Sequence, residues 1–436
     1  MERSLKVGAA EVVITPPLGV SMAGYYHDRK ADDIHDDLFA HALVIGKGGS
    51  CAAIVVCDLI GLEKELASTA RELAARRTGI PADSILICCT HTHTGPVLSR
   101  RRGRIMARDE AYTEVLVRRI ADSVCLACKR SQDANLHVGI GQVEGINFNR
   151  RYWMKDGTLR TNPPFQSPDI VRPAGPTDPQ LGVLHASGKD SRALAILTNY
   201  ALHADEVGGT AICADYQGVA NRLLKAVLGP DCAVLCTNGC CGDINHFDVS
   251  RPGPQSGMRF ADRSGAALAG EVLKRLPDLV PVAAGQPYVI SATVEAALRV
   301  PSPEEVAWAN EAAGQELRGF DQAGLDVVRA HRILALWELG LTAMPLTVYV
   351  LAIGDFALVG LPGEIFVELG LAIKSHSPFP YTFVAELCND SVGYVPTHNA
   401  YQEGGYEATS SFFTPGTGEK LVDLALELLQ EARGRG

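Results

Sequence analysis

The apolar residues of this chain follow two rhythms, and each change of rhythm marks an element. Compact β-branched and apolar runs predict strands at Leu38–Gly46, Cys51–Asp58 and Ser84–Cys89. Between the last two, Leu62–Arg77 carries apolar positions at helical spacing. That order is a βαβ unit whose second strand runs directly into Thr90-His91-Thr92-His93. Ala111–Lys129 reads as an amphipathic helix. The middle repeats the logic with a strand at Leu194–Tyr200, a helix at Gly218–Ala226, a strand at Ala233–Thr237 and a helix at Arg259–Leu276. A strand-rich stretch at Pro287–Val300 leads into a helical pair at 302–341, where Ser302 and Glu305 match a capping box. Strands return at Leu346–Ile353 and Phe356–Gly360. A helix from Glu364 to Lys374, a strand at Thr382–Leu387 and a helical tail at Gly418–Arg433 complete the pattern. The opening segment, Gly8–Tyr26, is rich in glycine, proline and small residues and predicts loop or edge strand.

Polar residues interrupt this pattern just beyond strand ends, at His91, His203, Asp243 and Glu364. In α/β folds the crevice outside the strand carboxyl ends is where ligands bind, so these positions predict one site. In Thr90-His91-Thr92-His93-Thr94-Gly95-Pro96 an extended backbone turns residues 91 and 93 to the same side. Either both imidazoles face one metal, or one holds a metal and the other meets substrate. Glu364 has a plainer reading, as a first-turn carboxylate interacting with a helix dipole. Cys240 and Cys241 read as small residues filling a tight loop. His41, His137 and His185 lie inside strand-like runs and read as core or sheet histidines, while His27, His331 and His376 carry no signal.

Composition narrows the function class. Of the 436 residues, 47% are hydrophobic and 21% charged, the balance of a core-forming globular protein. A net charge of -10 with no clustered basic face gives no nucleic-acid footprint. Arg100, Arg101, Arg102 and Arg104 form one dense basic run, read either as a solvated loop or as the rim of an anionic-substrate site. No apolar run reaches the ~18 residues a membrane span needs. Met1–Thr15 lacks the basic-then-apolar pattern of an export signal. The expected partner is therefore a small molecule, and the 12 cysteines are expected to stay reduced in a cytoplasmic protein.

A series of short blocks sharpens this. It starts with Gly8-Ala9-Ala10-Glu11-Val12, Met22-Ala23-Gly24-Tyr25, Asp33-Ile34-His35 and Cys57-Asp58-Leu59, then the Thr90–Pro96 motif. Asn147-Phe148-Asn149-Arg150-Arg151, Asn199-Tyr200-Ala201-Leu202-His203 and Ala214-Asp215-Tyr216-Gln217-Gly218 follow. Leu361-Pro362-Gly363-Glu364, Gly393-Tyr394-Val395 and Tyr406-Glu407 close the series. In this order and spacing the chain resembles the neutral/alkaline, non-lysosomal ceramidase family over roughly residues 8 to 410.

The resemblance implies an α/β (mixed α+β) fold: one large catalytic domain over 1–436, with mixed β-sheets flanked by helices and a helical insertion at about 302–341. It implies one Zn2+ per chain, held by His91, His203, Glu364 and Tyr394. His93 and Arg150 would stand behind the ligands or face substrate, Tyr406 would face the reacting carbonyl, and metal-activated water would cleave an N-acyl (amide) bond. Asp243 and Asp215 are expected to orient a histidine or take a proton, and His246 and His398 to line the substrate site. The chain departs from the family in one block: Gly-Asp-x-Ser-Pro-Asn becomes Gly242-Asp243-Ile244-Asn245-His246-Phe247. Asn245 thus stands at the family's serine, and an amide cannot be a nucleophile; it is expected to donate a hydrogen bond to substrate. The export signal and C-terminal β-domain of the secreted ceramidases are expected to be absent, which favours a smaller soluble N-acyl substrate, with an ester or lactone as the alternative. Two rivals stay open. A binuclear (β/α)₈ amidohydrolase would use both His91 and His93 and carry two metals, and a non-catalytic homologue would bind a small ligand without turnover. Nothing in the sequence speaks to oligomeric state.

Overall fold

In a computed structural model, which describes residues 4–99, 106–315, 317 and 319–435, the apolar runs pair into two main sheets. The basic run at Arg100, Arg101, Arg102 and Arg104 lies outside the described residues. The larger sheet orders its strands as Ala233–Asn238, Ala193–Tyr200, Gln180–Gly188, Gln132–Gln142, Lys6–Val13, Phe39–Lys47, Ser50–Cys57 and Ile85–Cys89. Its two outermost pairs are parallel and the inner pairs antiparallel. The smaller sheet orders Tyr288–Ala297, Ala343–Ile353, Phe356–Gly360 and Tyr381–Ala385, with only the last pair parallel.

Successive side chains of a strand point to opposite faces, and here both faces are covered. Along Phe39–Lys47, Ala40, Ala42 and Val44 meet helices while Leu43 and Ile45 meet the second sheet. Ser50–Cys57 splits the same way, with Ala53 and Val55 on one side and Ile54 and Val56 on the other. In the smaller sheet, Tyr349 and Leu351 join the shared centre while Val348 and Val350 face outward to helices. Helices Lys64–Thr78, Glu110–Lys129, Asp215–Leu228 and Met258–Arg275 cover the larger sheet. Val367–His376 and Thr417–Arg435 cover the smaller. The result is helices, sheet, sheet, helices: a mixed α+β architecture with mixed sheets flanked by helices, as the sequence predicts. Strands buried on both faces carry unbroken apolar runs, which is why they are legible.

Two expectations change. The opening segment contains an interior strand, not an edge: Lys6–Val13 pairs along its length with Phe39–Lys47 and at its start with Gln132–Gln142. Its small residues serve close packing, since a Cβ on Gly8 would lie 1.9 Å from the Ala127 carbonyl oxygen of the covering helix. Glu364 is not in a helical first turn. Glu364–Ile365 bridges in parallel to Tyr394–Val395, and the helix starts only at Val367. Pro303–Ala312 and Gln322–Leu339 form the expected helical pair between two strands of the smaller sheet. The predicted capping box closes with Glu305 N–H donating to Ser302 Oγ and Ser302 N–H to Glu305 Oε2. None of the described helices is long and apolar enough to cross a membrane.

Candidate active site

The two sheets meet at their strand ends. The Gly239 N–H donates to the Tyr200 carbonyl, Glu386 N–H to Asn238, and Asn389 N–H to Ile87, the last two joining one sheet to the other. The loop after Ile85–Cys89 is held by Thr90 and His91 N–H groups donating to the carbonyls of Cys57 and Leu59. This pins His91 at φ 66°, a left-handed conformation that costs a residue with a Cβ roughly 1–2 kcal/mol. The His93 N–H donates to the Ala204 carbonyl, tying this loop to the one that carries His203.

Three side chains then converge. The Nδ1 of His91 lies 2.6 Å from the Ile60 carbonyl and that of His203 3.2 Å from the Cys241 carbonyl. With Nδ1–H donated in this way, both rings aim Nε2 into the same space, 3.0 Å apart. Glu364 Oε2 lies 3.5 Å from the first Nε2 and 3.8 Å from the second. All three residues are buried. Burial disfavours the charged form of His91, but the Glu364 carboxylate outweighs it and raises His91 above its ordinary value. Burial, then the charges of His91 and Arg150, hold His203 well below its own. Burial works against ionised Glu364, yet His91 and His203 bring it well under the usual carboxylate range.

His93 stands beside them, its ring centroid 5.0 Å from His91 and 5.2 Å from His203. The nitrogens of the three imidazoles lie close enough to share an ion. Both ring nitrogens of His93 are buried without a hydrogen-bond partner. Burial, then the charge on His91, pushes its pKa down to about 3. Gly24 (φ 108°) presses on this ring, and a Cβ there would come within 2.8 Å of it. Arg29 donates to the His93 carbonyl at 2.7 Å.

The far wall is a buried ion network. Arg150 donates through Nε to Glu407 Oε1 (2.6 Å) and through Nη2 to the Gly242 carbonyl (2.7 Å) and the Tyr394 hydroxyl (3.0 Å). The Tyr394 hydroxyl hydrogen-bonds in turn to Glu364, its neighbour in the parallel bridge. Tyr406 packs edge-on against Tyr394, and its hydroxyl lies 3.4 Å from that of Tyr26. A cavity of about 190 Å³ opens above His91, Glu364, Tyr394 and Tyr406. The helix Gln322–Leu339 roofs it with Val328, Leu334 and Ala335, and with His331, Arg332 and Glu338.

Other expected site residues lie elsewhere. Asn245 is fully buried, with Nδ2 donating to Asn162 Oδ1 (2.8 Å) and Oδ1 accepting from Phe247 N–H (3.1 Å), and it does not line the cavity. Asp243 accepts from Val367 N–H and Asn149 Nδ2 (2.8 Å each), so it ties loops together and orients no histidine; burial pushes it up to about 6. Asp215 likewise accepts from the backbone, at Val207 and Tyr216. His246 is buried outside the cavity wall, its Nδ1 3.3 Å from Asp205 and its Nε2 2.6 Å from the Gln255 carbonyl. His398 is exposed on a turn outside the cavity wall. Its loop is fixed instead by its own N–H donating to Glu419.

Sequence reasoning missed three contributors. His331 lines the cavity, but it comes from the helix Gln322–Leu339 and carries no motif. Arg29 reaches the His93 loop from the stretch between Tyr26 and Leu38, to which the sequence pattern assigned no element. Glu386 is fully buried, accepting from Ile365 N–H (2.8 Å), Cys241 N–H (3.1 Å) and Cys241 Sγ (2.9 Å), and burial pushes it up to about 7. A lone carboxylate within the apolar run Thr382–Leu387 was the available signal. The same contacts account for Cys241, whose thiol burial raises well above its ordinary value.

A family model described as neutral/alkaline non-lysosomal ceramidase, N-terminal, matches residues 5–234. Among solved structures, the neutral ceramidase from Pseudomonas aeruginosa is similar at 18% identity and a TM-score of 0.76, covering 99% of this chain and 75% of that one. A ceramidase complexed with C2 is similar to the same degree and covers 76% of its own chain. At such identity the structural likeness speaks to the fold.

Proposed function

Because the chain belongs to the neutral/alkaline non-lysosomal ceramidase family, we propose that its buried histidine and carboxylate cluster holds one zinc ion and hydrolyses an N-acyl amide bond. The observation that carries this is the meeting of His91 Nε2, His203 Nε2 and Glu364 Oε2. With each Nδ1–H committed to a carbonyl, two ring lone pairs and a carboxylate oxygen face one another, and such an arrangement needs a proton or a cation among them. Tetrahedral zinc with bonds of ~2.1 Å sets its ligand atoms ~3.4 Å apart, and 3.0, 3.5 and 3.8 Å bracket that spacing. The backbone carbonyls on Nδ1 are the partners that fix the tautomer of a metal-binding histidine. Tyr394 is the fourth ligand in this reading.

When bound, zinc supplies Lewis acidity, which polarises a carbonyl and makes water acidic enough to react near neutral pH. The chain's own residues supply the rest. His93, neutral and with both nitrogens unpartnered among the described residues, accepts a hydrogen bond from the attacking water and orients it. Tyr406 presents a hydroxyl into the cavity, where the carbonyl oxygen gains charge. One such donor is worth roughly 2.7–4 kcal/mol in comparable sites. Arg150 holds the Tyr394 phenol and adds a fixed positive charge behind it. The roof helix limits water entry and caps the substrate. A cavity of about 150 Å³ holds one benzene, so about 190 Å³ favours a small acyl or amine group over a long lipid tail. We treat residues 4–435 as one catalytic unit with the helical pair as its lid. All twelve cysteines are free thiols, which fits a reducing compartment such as the cytoplasm.

The test is metal analysis of purified protein together with a panel of N-acyl amides of increasing chain length, esters and lactones. One zinc per chain and fastest turnover of short N-acyl amides are expected. Esters or lactones turning over faster would reassign the bond. A folded, metal-loaded protein inert to the whole panel would leave only the ligand-binding reading, and two metals per chain would favour a binuclear one.

A further inference from the structure

A second recess, about 420 Å³, lies on the other side of the roof helix. Arg299, Arg329 and Arg332 all line it, with Glu305 as the one carboxylate among the described residues. Arg329 and Arg332 are one helical turn apart and so share a face, where like charges repel. Glu305 accepts from Arg329 at 3.1 Å. The other two guanidiniums donate only to neutral carbonyls. Arg299 reaches those of Phe413 (3.1 Å) and Ala408 (3.3 Å), and Arg332 that of Thr409 (3.0 Å). Arg332 Nε is buried without a partner, and among the described residues neither Arg299 nor Arg332 makes an ion pair. Aromatic faces hold two of the cations in place, Tyr401 at 4.9 Å from Arg299 and Trp308 at 5.2 Å from Arg329. Burial, then the charges of Arg299 and Arg329, pulls Arg332 down to about 10.

We propose that this recess binds a tetrahedral oxyanion, inorganic phosphate or the phosphate group of a monoester, and thereby braces the short helix that carries Tyr406. Three guanidiniums converging from the strand-end segment and the roof helix, with a surplus of two positive charges, suit a dianion with several acceptor oxygens. A planar carboxylate satisfies a single guanidinium fork. Ala408 and Thr409 belong to Tyr406–Ser410, so two of the three arginines that meet the anion, Arg299 and Arg332, are the ones that hold this helix. Arg332 also lines the catalytic cavity.

The experiment titrates the full-length, zinc-loaded protein by calorimetry at constant ionic strength with inorganic phosphate, glycerol phosphate and acetate. Hydrogen exchange over residues 406–413 is followed in parallel. The same titrations are run on His91→Ala, Arg299→Gln and Arg329→Gln. Saturable phosphate binding that survives in His91→Ala is expected. Each arginine variant should weaken it about tenfold or more, the loss of one charge-assisted bond, and phosphate should slow exchange at 406–413. Tighter binding of the monoester would identify a phosphorylated ligand, and tighter inorganic phosphate the free ion. No binding, equal binding of acetate, loss in His91→Ala (which would place the anion at the metal) or unchanged affinity in both arginine variants would overturn the assignment. Unchanged exchange would overturn the bracing role.

Discussion

Glu364→Gln tests the metal site with the least disturbance, because it keeps the shape and changes one acceptor into a donor. Glu364 Oε2 is buried without a hydrogen-bond partner, 3.5 and 3.8 Å from two imidazole nitrogens. In the metal-free protein the carboxamide exchanges the charge-assisted pairing with His91 for a neutral bond, a net loss of about 1–1.5 kcal/mol. Unfolding entropy of ~2.1 cal/mol/K per residue over 436 residues is roughly 0.9 kcal/mol/K, so this loss moves Tm by no more than about 2 °C. The zinc effect separates cleanly from it. Zinc at 100 times its Kd stabilises the folded state by ~2.7 kcal/mol, a rise of about 3 °C for this chain length, and the variant should lose that rise. The assay is thermal unfolding with added zinc and with chelator, paired with metal analysis. A variant that keeps one zinc per chain and the full zinc-dependent rise would refute the ligand assignment. A metal-free variant that unfolds far below metal-free wild type would mean that Glu364 is structural.

Three further outcomes follow from the geometry. Asn245→Ala removes two buried hydrogen bonds at a cost of about 1–3 kcal/mol, yet kcat/KM should stay within a few-fold; a loss beyond a hundredfold with zinc retained would show that Asn245 meets substrate. Arg150→Met leaves the fully buried Glu407 with only the Thr161 hydroxyl (2.9 Å) and Arg151 (3.7 Å) as partners among the described residues and should cost about 3 kcal/mol in urea unfolding, the lower end for a broken buried pair; adding Glu407→Gln should restore part of it, and strict additivity would argue against the pair. His41 lies between Glu11 (2.9 Å) and Asp58 (3.3 Å), and although burial opposes it, these carboxylates raise its pKa to about 9 from 6.5. A folded pKa above the unfolded one gives stability that is complete below pH 6.5 and is lost as pH climbs through 9; urea midpoints should therefore fall across that window, and His41→Gln should flatten the slope.

The central strands were legible because they are buried on both faces, so Ser50–Cys57 and Phe356–Gly360 appear as compact apolar runs. Lys6–Val13 was misread because its alanines and glycine serve helix packing, and small residues carry the signature of a loop. Of the candidate site, His91, His203 and Glu364 were reachable as polar residues just after strand ends, and Tyr394 only through the family resemblance. Asp243 was drawn in by its place after a strand end, Asn245 by standing at the family's serine and His246 by sharing that loop, yet Asn245 and Asp243 hydrogen-bond to neighbouring loops and His246 points to Asp205. Sequence distance says which residues share a loop, not which way each side chain turns. His331 and Arg332 show the converse. They reach the cavity from an insertion whose pattern encodes only an amphipathic helix, and their role exists only once that helix is laid across the opening.

The arrangement of the cluster explains why its side chains come from such distant stretches. His91 and His203 follow strands of the larger sheet, while Glu364 and Tyr394 sit on connections of the smaller one. No loop of either sheet brings all four together, so the cluster forms only when the sheets have packed face to face through residues such as Ile54, Leu197, Leu351 and Phe383. The backbone bonds from Glu386 to Asn238 and from Asn389 to Ile87 hold the strand ends in fixed relation. Residues in strained left-handed backbone gather along this seam, His91 at φ 66°, Leu387 at 53° and Asn389 at 57°. Side chains with a Cβ persist in that region only where the surrounding structure over-determines them. Here the determinant is the apolar core between the sheets, so its burial energy is what forces the two imidazoles and the carboxylate within 3.0–3.8 Å of one another.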